Sequence, residues 1–119
     1  MASEITYQFQ TLLSNAGLTD NFVTGSQTAD QASALLIRNV QNIGFGADEA
    51  LALGDVVTPG WCVFQNLDDT NYVEIGVGSF TPMLKLKPGE MCLVRLATTA
   101  PRAQANTAAI DLFYIIYSD

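Results

Sequence analysis

Histidine is absent from this 119-residue sequence, and only five side chains are basic. The lack of imidazole excludes Ser-His-Asp and Cys-His nucleophile systems and histidine-ligated zinc, and it removes the commonest general base. Five lysines and arginines against twelve carboxylates give a net charge of −7, which leaves no positive stripe for a phosphate backbone. The composition therefore argues against nucleic-acid binding.

Long apolar runs and cysteines are also scarce. No apolar run reaches the roughly 20 residues that span a bilayer, so no membrane partner is predicted. The first ten residues, MASEITYQFQ, lack the cationic and apolar regions of a secretory signal. Cys62 and Cys92 lie far apart in apolar segments without a neighbouring basic residue, which favours buried reduced thiols and leaves a disulfide between them open.

Short β-rich segments separated by Gly, Pro, Asn and Asp make up most of the chain. The clearest predicted strands are Trp61 to Leu67, Tyr72 to Val77, two pieces within Leu84 to Leu96, and Ala108 to Tyr117. In addition, Ile5 to Leu13 alternates with a period of two residues, which is typical of a half-buried strand. About eight short strands predict an all-β fold, a β-sandwich and more specifically a jelly roll. With 49% apolar and 14% charged residues and no repeat or linker, residues 1–119 are expected to form one soluble globular domain.

Three segments are harder to assign. Residues 15–31 are polar and rich in turn formers, so a long loop is predicted there, with Phe22 and Val23 as a short anchor or strand. Ser33 to Ile43 and Asp48 to Leu53 both tolerate a helix by composition. The β-branched residues of the first and the short length of the second, between Gly46 and Gly54, favour strands. A short helix within residues 33–53 remains the alternative.

The segment QNLDDTNYVEIG concentrates acidic and amide side chains between two β-rich runs. It has neither the spacing nor the central glycine of an EF-hand calcium loop. Asp and Asn are favoured in turns because their side chains bond to nearby backbone amides. Asp68, Asp69 and Asn71 are therefore predicted to form a structural turn without a metal, and Pro88 and Gly89 to occupy the centre of a type II turn.

No catalytic constellation emerges from the remaining side chains. Paired-carboxylate hydrolysis would need two of Asp69, Glu74, Glu90 and Asp111 to face each other, and nothing in the sequence places any two together. Glycine-rich GVG lacks the lysine of a phosphate loop. The sequence predicts neither an enzyme nor a cofactor. Trp61 and Tyr72 could stack on a sugar, but core packing is the favoured interpretation for Trp61.

The C-terminal segment IDLFYIIYSD is apolar or aromatic at both odd and even positions. A strand in a two-layer fold has only one covered face, so a partner subunit is predicted to cover the other, with a wrapped loop as the alternative. The predicted contact residues are Phe113 or Tyr114, whichever points outward, with Ile115, Tyr117 and parts of the N-terminal loop. A homo-oligomer, a dimer or a trimer, is expected.

Residues Thr58 to Asp119 also resemble a group of small tailed-bacteriophage structural proteins. The likeness rests on GWCVFQNLDDTNYVEIGVG, FTPMLKLKPGEMCLVRLATTAP and AQANTAAIDLFYIIYSD. The resemblance implies a virion component without catalytic role, assembled in the host cytoplasm, and most closely a capsid decoration or cement protein. Its implied partner is the major capsid protein or another virion protein. A tail or neck component and a carbohydrate-binding host-recognition module are the alternatives.

Overall fold

The computed structural model describes residues 3–119, and all of the regular structure in that range is β-strand. The strands are β1 Ile5–Tyr7, β2 Gln10–Asn15, β3 Leu18–Val23, β4 Gln27–Ala29, β5 Leu36–Ile43, β6 Glu49–Ala50, β7 Pro59–Asn66, β8 Val73–Val77, β9 Thr81–Leu86, β10 Met91–Arg95, β11 Arg102–Ala105 and β12 Ile110–Ser118. The all-β prediction is confirmed. In the described range no helix has the length and apolarity needed to cross a membrane.

The chain divides into two compact units, Met1–Ala32 and Ser33–Asp119. The sequence predicts one domain, because it has no internal repeat, low-complexity tract or charge block that would mark a linker.

The N-terminal unit consists of paired strands, and none of residues 3–32 is fully buried. β1 pairs with β4 and β2 pairs with β3, both antiparallel. Ala16 and Gly17 join β2 to β3 with φ of 46° and 90°, the left-handed conformations of a type I′ hairpin turn. The predicted long loop at residues 15–31 is therefore wrong, since it contains β3 and β4. The predicted half-buried strand is wrong for β2, all of whose residues are exposed.

The C-terminal unit contains two four-stranded sheets. The first sheet has the order β10-β7-β12-β5 and the second has the order β6-β11-β8-β9. The antiparallel pairs are nested along the chain: β5 with β12, β6 with β11, β7 with β10, and β8 with β9. The second half of this unit thus returns along the first half, strand by strand.

Both sheets contribute side chains to one buried cluster. Its fully or almost fully buried members are Ile43, Leu51, Val56, Cys62, Phe64, Val73, Ile75, Leu86, Ala103, Ala105, Ile110, Leu112, Tyr114 and Ile116. The rings of Phe64 and Tyr114 lie 6.3 Å apart between centroids. Cys92 and Val94 pack against the cluster from β10, on the same inward face as Cys62 and Phe64.

Local assignments within residues 33–53 are settled in favour of strands. β5 occupies most of the first doubtful segment, whereas only Glu49 and Ala50 of the second are in strand conformation. Polar bonds hold this second segment in place, since the Glu49 carboxylate accepts a hydrogen bond of 2.8 Å from the Gly44 N–H. The turn at Pro88 and Gly89 also forms: Gly89 has φ of 78°, and the Glu90 N–H donates to the Lys87 carbonyl at 3.0 Å.

The two cysteines lie on the adjacent strands β7 and β10 and are free thiols. Burial raises the pKa of the Cys62 thiol to about 12, and the neighbouring Cys92 adds to the shift. Burial also raises the pKa of Cys92, which is only half-buried. Since the thiolate is the nucleophile, only about one Cys62 side chain in 10⁴ is reactive at pH 8.

Cys62 is therefore expected to resist thiol reagents in the native protein. A Cys92→Ala variant isolates this thiol, and Ellman's reagent at pH 8 should label it at least 100-fold more slowly in the folded than in the urea-unfolded protein. The unfolded sample is the control for reagent and stoichiometry. Equal labelling rates in the two samples would contradict the burial of Cys62.

Candidate interaction surface

β12 lies between β7 and β5 in the first sheet. On each face of the sheet, the side chains of β12 therefore lie beside side chains of β7 and β5. Leu112, Tyr114 and Ile116 point into the core cluster. By strand alternation Phe113, Ile115 and Tyr117 lie on the opposite side, which we call the outer face. The predicted contact residues are thus divided, and Tyr114, which is 0% exposed, is corrected from a contact residue to a core residue.

The register of the first sheet shows which side chains share the outer face, because directly paired residues point to the same side. Phe113 pairs with Val40 and Gln65, and Ile115 pairs with Arg38 and Val63. Extending the pairing to the edge strands completes the outer face as Leu36, Arg38, Val40, Asn42, Trp61, Val63, Gln65, Met91, Leu93, Arg95, Asp111, Phe113, Ile115 and Tyr117. Apolar and aromatic residues dominate this set.

Several apolar residues of the outer face remain open to solvent. Leu36, Val40 and Met91 are 55%, 52% and 59% exposed. Ile115 is buried, whereas Phe113 and Tyr117 beside it are half-buried. Exposed apolar side chains on one sheet face are typical of surfaces that contact another protein or a ligand.

Two of the three arginines of the chain lie on this face and cover aromatic rings. The Arg38 guanidinium carbon is 5.7 Å from the centroid of Phe113, and that of Arg95 is 5.3 Å from the Trp61 ring. Trp61 is thus half-buried outside the core cluster, contrary to the favoured prediction for it. Arginine and aromatic residues are enriched at protein interfaces, so the composition fits a contact surface.

Tyr114 is held in the core by polar bonds at its hydroxyl group. The hydroxyl oxygen lies 2.7 Å from the Ala52 carbonyl oxygen and 3.0 Å from Gln41 Oε1, and it accepts a hydrogen bond of 3.1 Å from Asn39 Nδ2. Burial raises the pKa of this phenol. Because the hydroxyl is satisfied inside, β12 can bury an aromatic ring on the side opposite Phe113.

The acidic cluster forms the turn that the sequence predicts. Asp68 Oδ2 accepts hydrogen bonds from the backbone N–H groups of Asn71 at 2.6 Å and Thr70 at 3.0 Å. These bonds, that from Asn71 foremost, lower the pKa of Asp68. Asp69 accepts a 2.9 Å bond from the Thr70 hydroxyl. Between residues 3 and 119 no group of three or more Cys, Asp or Glu side chains is arranged to hold a metal ion.

Asn66, at the end of β7, links this turn to the Pro88-Gly89 turn. Its Nδ2 donates to the carbonyl oxygens of Asn71 at 2.8 Å and Leu86 at 3.0 Å, and its Oδ1 accepts from the Asp68 N–H at 2.9 Å. Its backbone carbonyl accepts from the Gly89 N–H. Asn66 shares the parity of the inward residues Cys62 and Phe64, and this parity is the signal in the sequence that indicates its burial.

The acids considered for hydrolysis have separate partners. Glu90 accepts a hydrogen bond from the Lys87 N–H at 2.8 Å, Asp111 accepts one from Asn42 at 3.0 Å, and Glu74 is paired with Lys85 across β8 and β9. An ion pair that the sequence did not reveal joins Asp48 to Arg102, and the hydrogen bond from Arg102 lowers the pKa of Asp48.

The outer face is therefore the surface whose composition calls for a partner. It combines exposed aliphatic side chains with half-buried aromatic rings and two arginines. Neither a protein-family model, nor a curated protein, nor a solved structure matches this chain.

Proposed function

We propose that this chain is a non-enzymatic structural protein of a bacteriophage virion, a capsid decoration or cement protein that acts through protein contacts. The observation that carries the proposal is the outer face, where Phe113, Ile115 and Tyr117 lie with Arg38 and Arg95. The resemblance of residues Thr58 to Asp119 to small phage structural proteins supplies the setting. The major capsid protein or another virion protein is the proposed partner.

We also propose that residues Ser33–Asp119 form a jelly-roll sandwich. In support, this unit has eight strands in two four-stranded sheets, and the sheets share one buried cluster. The nested pairs described above, from β5 with β12 to β8 with β9, correspond to a long antiparallel hairpin rolled into two layers. Jelly rolls with two Greek keys are common in viral capsid proteins.

Such a protein would stabilise a shell by linkage, without chemistry. A decoration protein that binds assembled capsid subunits better than free ones shifts the equilibrium toward the assembled state. Many copies held by one lattice act together, because tethering raises the effective concentration of each contact. Each copy therefore needs only a modest contact area, which a surface of the size of one sheet face supplies.

The test is a comparison of virions with and without this protein. Virions that lack it are expected to lose genome at lower temperature or under milder osmotic shock, and purified protein should restore their resistance. A Phe113→Asp variant should restore little, whereas Met83→Asp, at an exposed apolar position on the second sheet, should act like wild type. Unchanged assembly, stability and infectivity without the protein would refute the proposal.

A carbohydrate-binding host-recognition module is the second candidate function. Its support is Trp61, which is half-buried on the outer face and has Arg95 above its ring. An aromatic face beside polar groups suits a sugar ring. Binding on a glycan array that disappears with Trp61→Ala would favour this function over the structural one. If the protein is instead a tail or neck component, purified protein should bind to those parts of the virion.

A further inference from the structure

The hairpin formed by β2 and β3 has exposed apolar side chains. We call Phe9 to Val23, which includes β2 and β3, the arm. Paired residues share a face, so Leu13, Leu18 and Phe22 lie on one side together with Thr11, Asn15 and Asp20. The rings of Phe9 and Phe22 are tilted relative to each other, with centroids 6.4 Å apart. Phe9, Leu13, Leu18 and Phe22 are 44–62% exposed. The opposite side is more polar and contains Gln10, Leu12, Ser14, Thr19, Asn21 and Val23.

The charges of the arm and of the outer face are complementary. Residues 3–32 contain three carboxylates and no lysine or arginine. Glu4 and Asp30 accept backbone hydrogen bonds from Gln31 and Ser3. The third, Asp20, is paired with Leu13 and so lies on the apolar side of the arm.

On the outer face the cation that matches Asp20 is Arg38. Arg95 already contacts Asp119 at 2.7 Å. Arg38 is exposed, lies over Phe113, and within residues 3–119 has no carboxylate oxygen within 4.0 Å. The outer face thus offers apolar side chains around an arginine, and the arm offers apolar side chains around a carboxylate.

We propose that the arm of one copy docks its apolar side on the outer face of a second copy, with Asp20 against Arg38. This proposal rests on the proposed function and deepens it: the outer face holds two copies of this chain together, and the resulting oligomer is what binds the virion. A six-residue strand is about 20 Å long, comparable to the strands of the sheet face. Reciprocal exchange of two arms in a two-fold dimer would bury on the order of 1,000 Å², enough for a specific interface.

The test is a charge exchange in the purified full-length protein, with mass measured by light scattering at micromolar concentration. Asp20→Arg and Arg38→Asp should each weaken self-association at least about ten-fold, because each places like charges together. An equimolar mixture of the two variants should recover the association, since each arm then meets an opposite charge. Thermal melts of both variants serve as the control that they remain folded.

Matched charge reversals at exposed residues that belong neither to the arm nor to the outer face serve as controls. Asp55→Arg and Lys87→Asp change the net charge equally and should leave the association constant unchanged. A wild-type protein that is monomeric, or variants that associate like wild type, would overturn the proposal. A contact within one chain would also overturn the proposal. It would appear as a mixture of the two variants that stays monomeric, together with a double variant, Asp20→Arg with Arg38→Asp, that regains wild-type stability.

Failure of this proposal is distinguishable from failure of the proposed function. A protein that does not self-associate but still binds and stabilises virions overturns the arm contact and leaves the structural role standing. If the protein forms a dimer that depends on Asp20 and Arg38 but its removal leaves virion stability unchanged, the arm contact stands and the structural role is overturned.

Discussion

Replacement of Tyr114 by alanine is expected to lower the free energy of unfolding by about 3–5 kcal/mol. The ring is 0% exposed and packs against Phe64 in the shared core cluster. Its loss leaves a cavity, and it also leaves the Asn39 amide and the Ala52 carbonyl without the hydroxyl they contact. Since small domains are stable by only about 5–15 kcal/mol, this single change removes a large fraction of the total.

The neighbouring Phe113→Ala variant is the matched control, because it removes an aromatic ring of nearly equal size from the same strand. Phe113 is half-buried on the outer face, so we expect a loss of only about 1 kcal/mol in the isolated protein. Urea denaturation of both variants provides the comparison. Equal losses would mean that the core is not confined to one side of β12.

An intermediate substitution separates packing from hydrogen bonding. Tyr114→Phe keeps the ring and removes only the hydroxyl, so we expect a loss of about 1–3 kcal/mol from the unsatisfied polar neighbours. A loss as large as that of Tyr114→Ala would show that the hydroxyl, and not the ring, dominates the contribution of this side chain.

Most strands of the C-terminal unit could be predicted because their signals are local, whereas β11 was not among the predicted strands. Turn residues on both sides delimit β7, β8, β9 and β10, and β12 is a continuous run of β-formers. The nested pairing of these strands could not be predicted in the same way. It joins residues such as Leu36 and Tyr117, and no local pattern encodes so distant a partner.

The prediction of a half-buried strand was wrong for β2 because apolar and polar residues alternate there although every residue of the strand is exposed. Alternation of Tyr7, Phe9 and Leu13 with polar residues predicts one buried face, yet the structure leaves all of β2 exposed. A periodic pattern indicates that a strand face is suited to burial, but it does not indicate which surface covers that face. Because the arm has apolar side chains that are exposed, we propose a second copy as its partner.

The candidate surface was predicted only in part. Residues 110–117 are apolar or aromatic at both odd and even positions, which indicated apolar side chains on both sides of β12. Parity alone could not decide whether Phe113 or Tyr114 points outward. The contributions of Arg38 and Trp61 depend on which strands flank β12, and so they became visible only with the sheet order.

Asn66 shows how a buried polar side chain can join turns that lie apart in the sequence. All three of its side-chain partners are backbone groups with fixed roles, two carbonyl oxygens and one N–H. This pattern is compatible with only one orientation of the amide, nitrogen toward the carbonyls and oxygen toward the N–H. The side chain therefore holds the Asp68-Asn71 turn and the end of β9 in a defined relation.

Asn66→Ala is accordingly expected to lower the free energy of unfolding by about 3–5 kcal/mol, since it leaves several backbone groups unsatisfied at a buried site. Asn42→Ala is the control, because Asn42 is an exposed strand asparagine whose amide bonds to Asp111 at 3.0 Å, and it should cost under about 1 kcal/mol. Urea denaturation at pH 7 measures both, and equal losses would contradict the role assigned to Asn66.

An Asn66→Asp variant tests the same network through its pH dependence. Its carboxylate would face two carbonyl oxygens at a position that is 0% exposed, so repulsion and burial should raise its pKa in the folded protein above the unfolded value of about 3.9. A raised folded pKa gives stability that is present at low pH and is lost as the pH rises through that pKa. The stability deficit of this variant relative to wild type should therefore shrink between pH 7 and pH 4. A deficit that stays constant over this range would show that the side chain at position 66 does not face the two carbonyl oxygens.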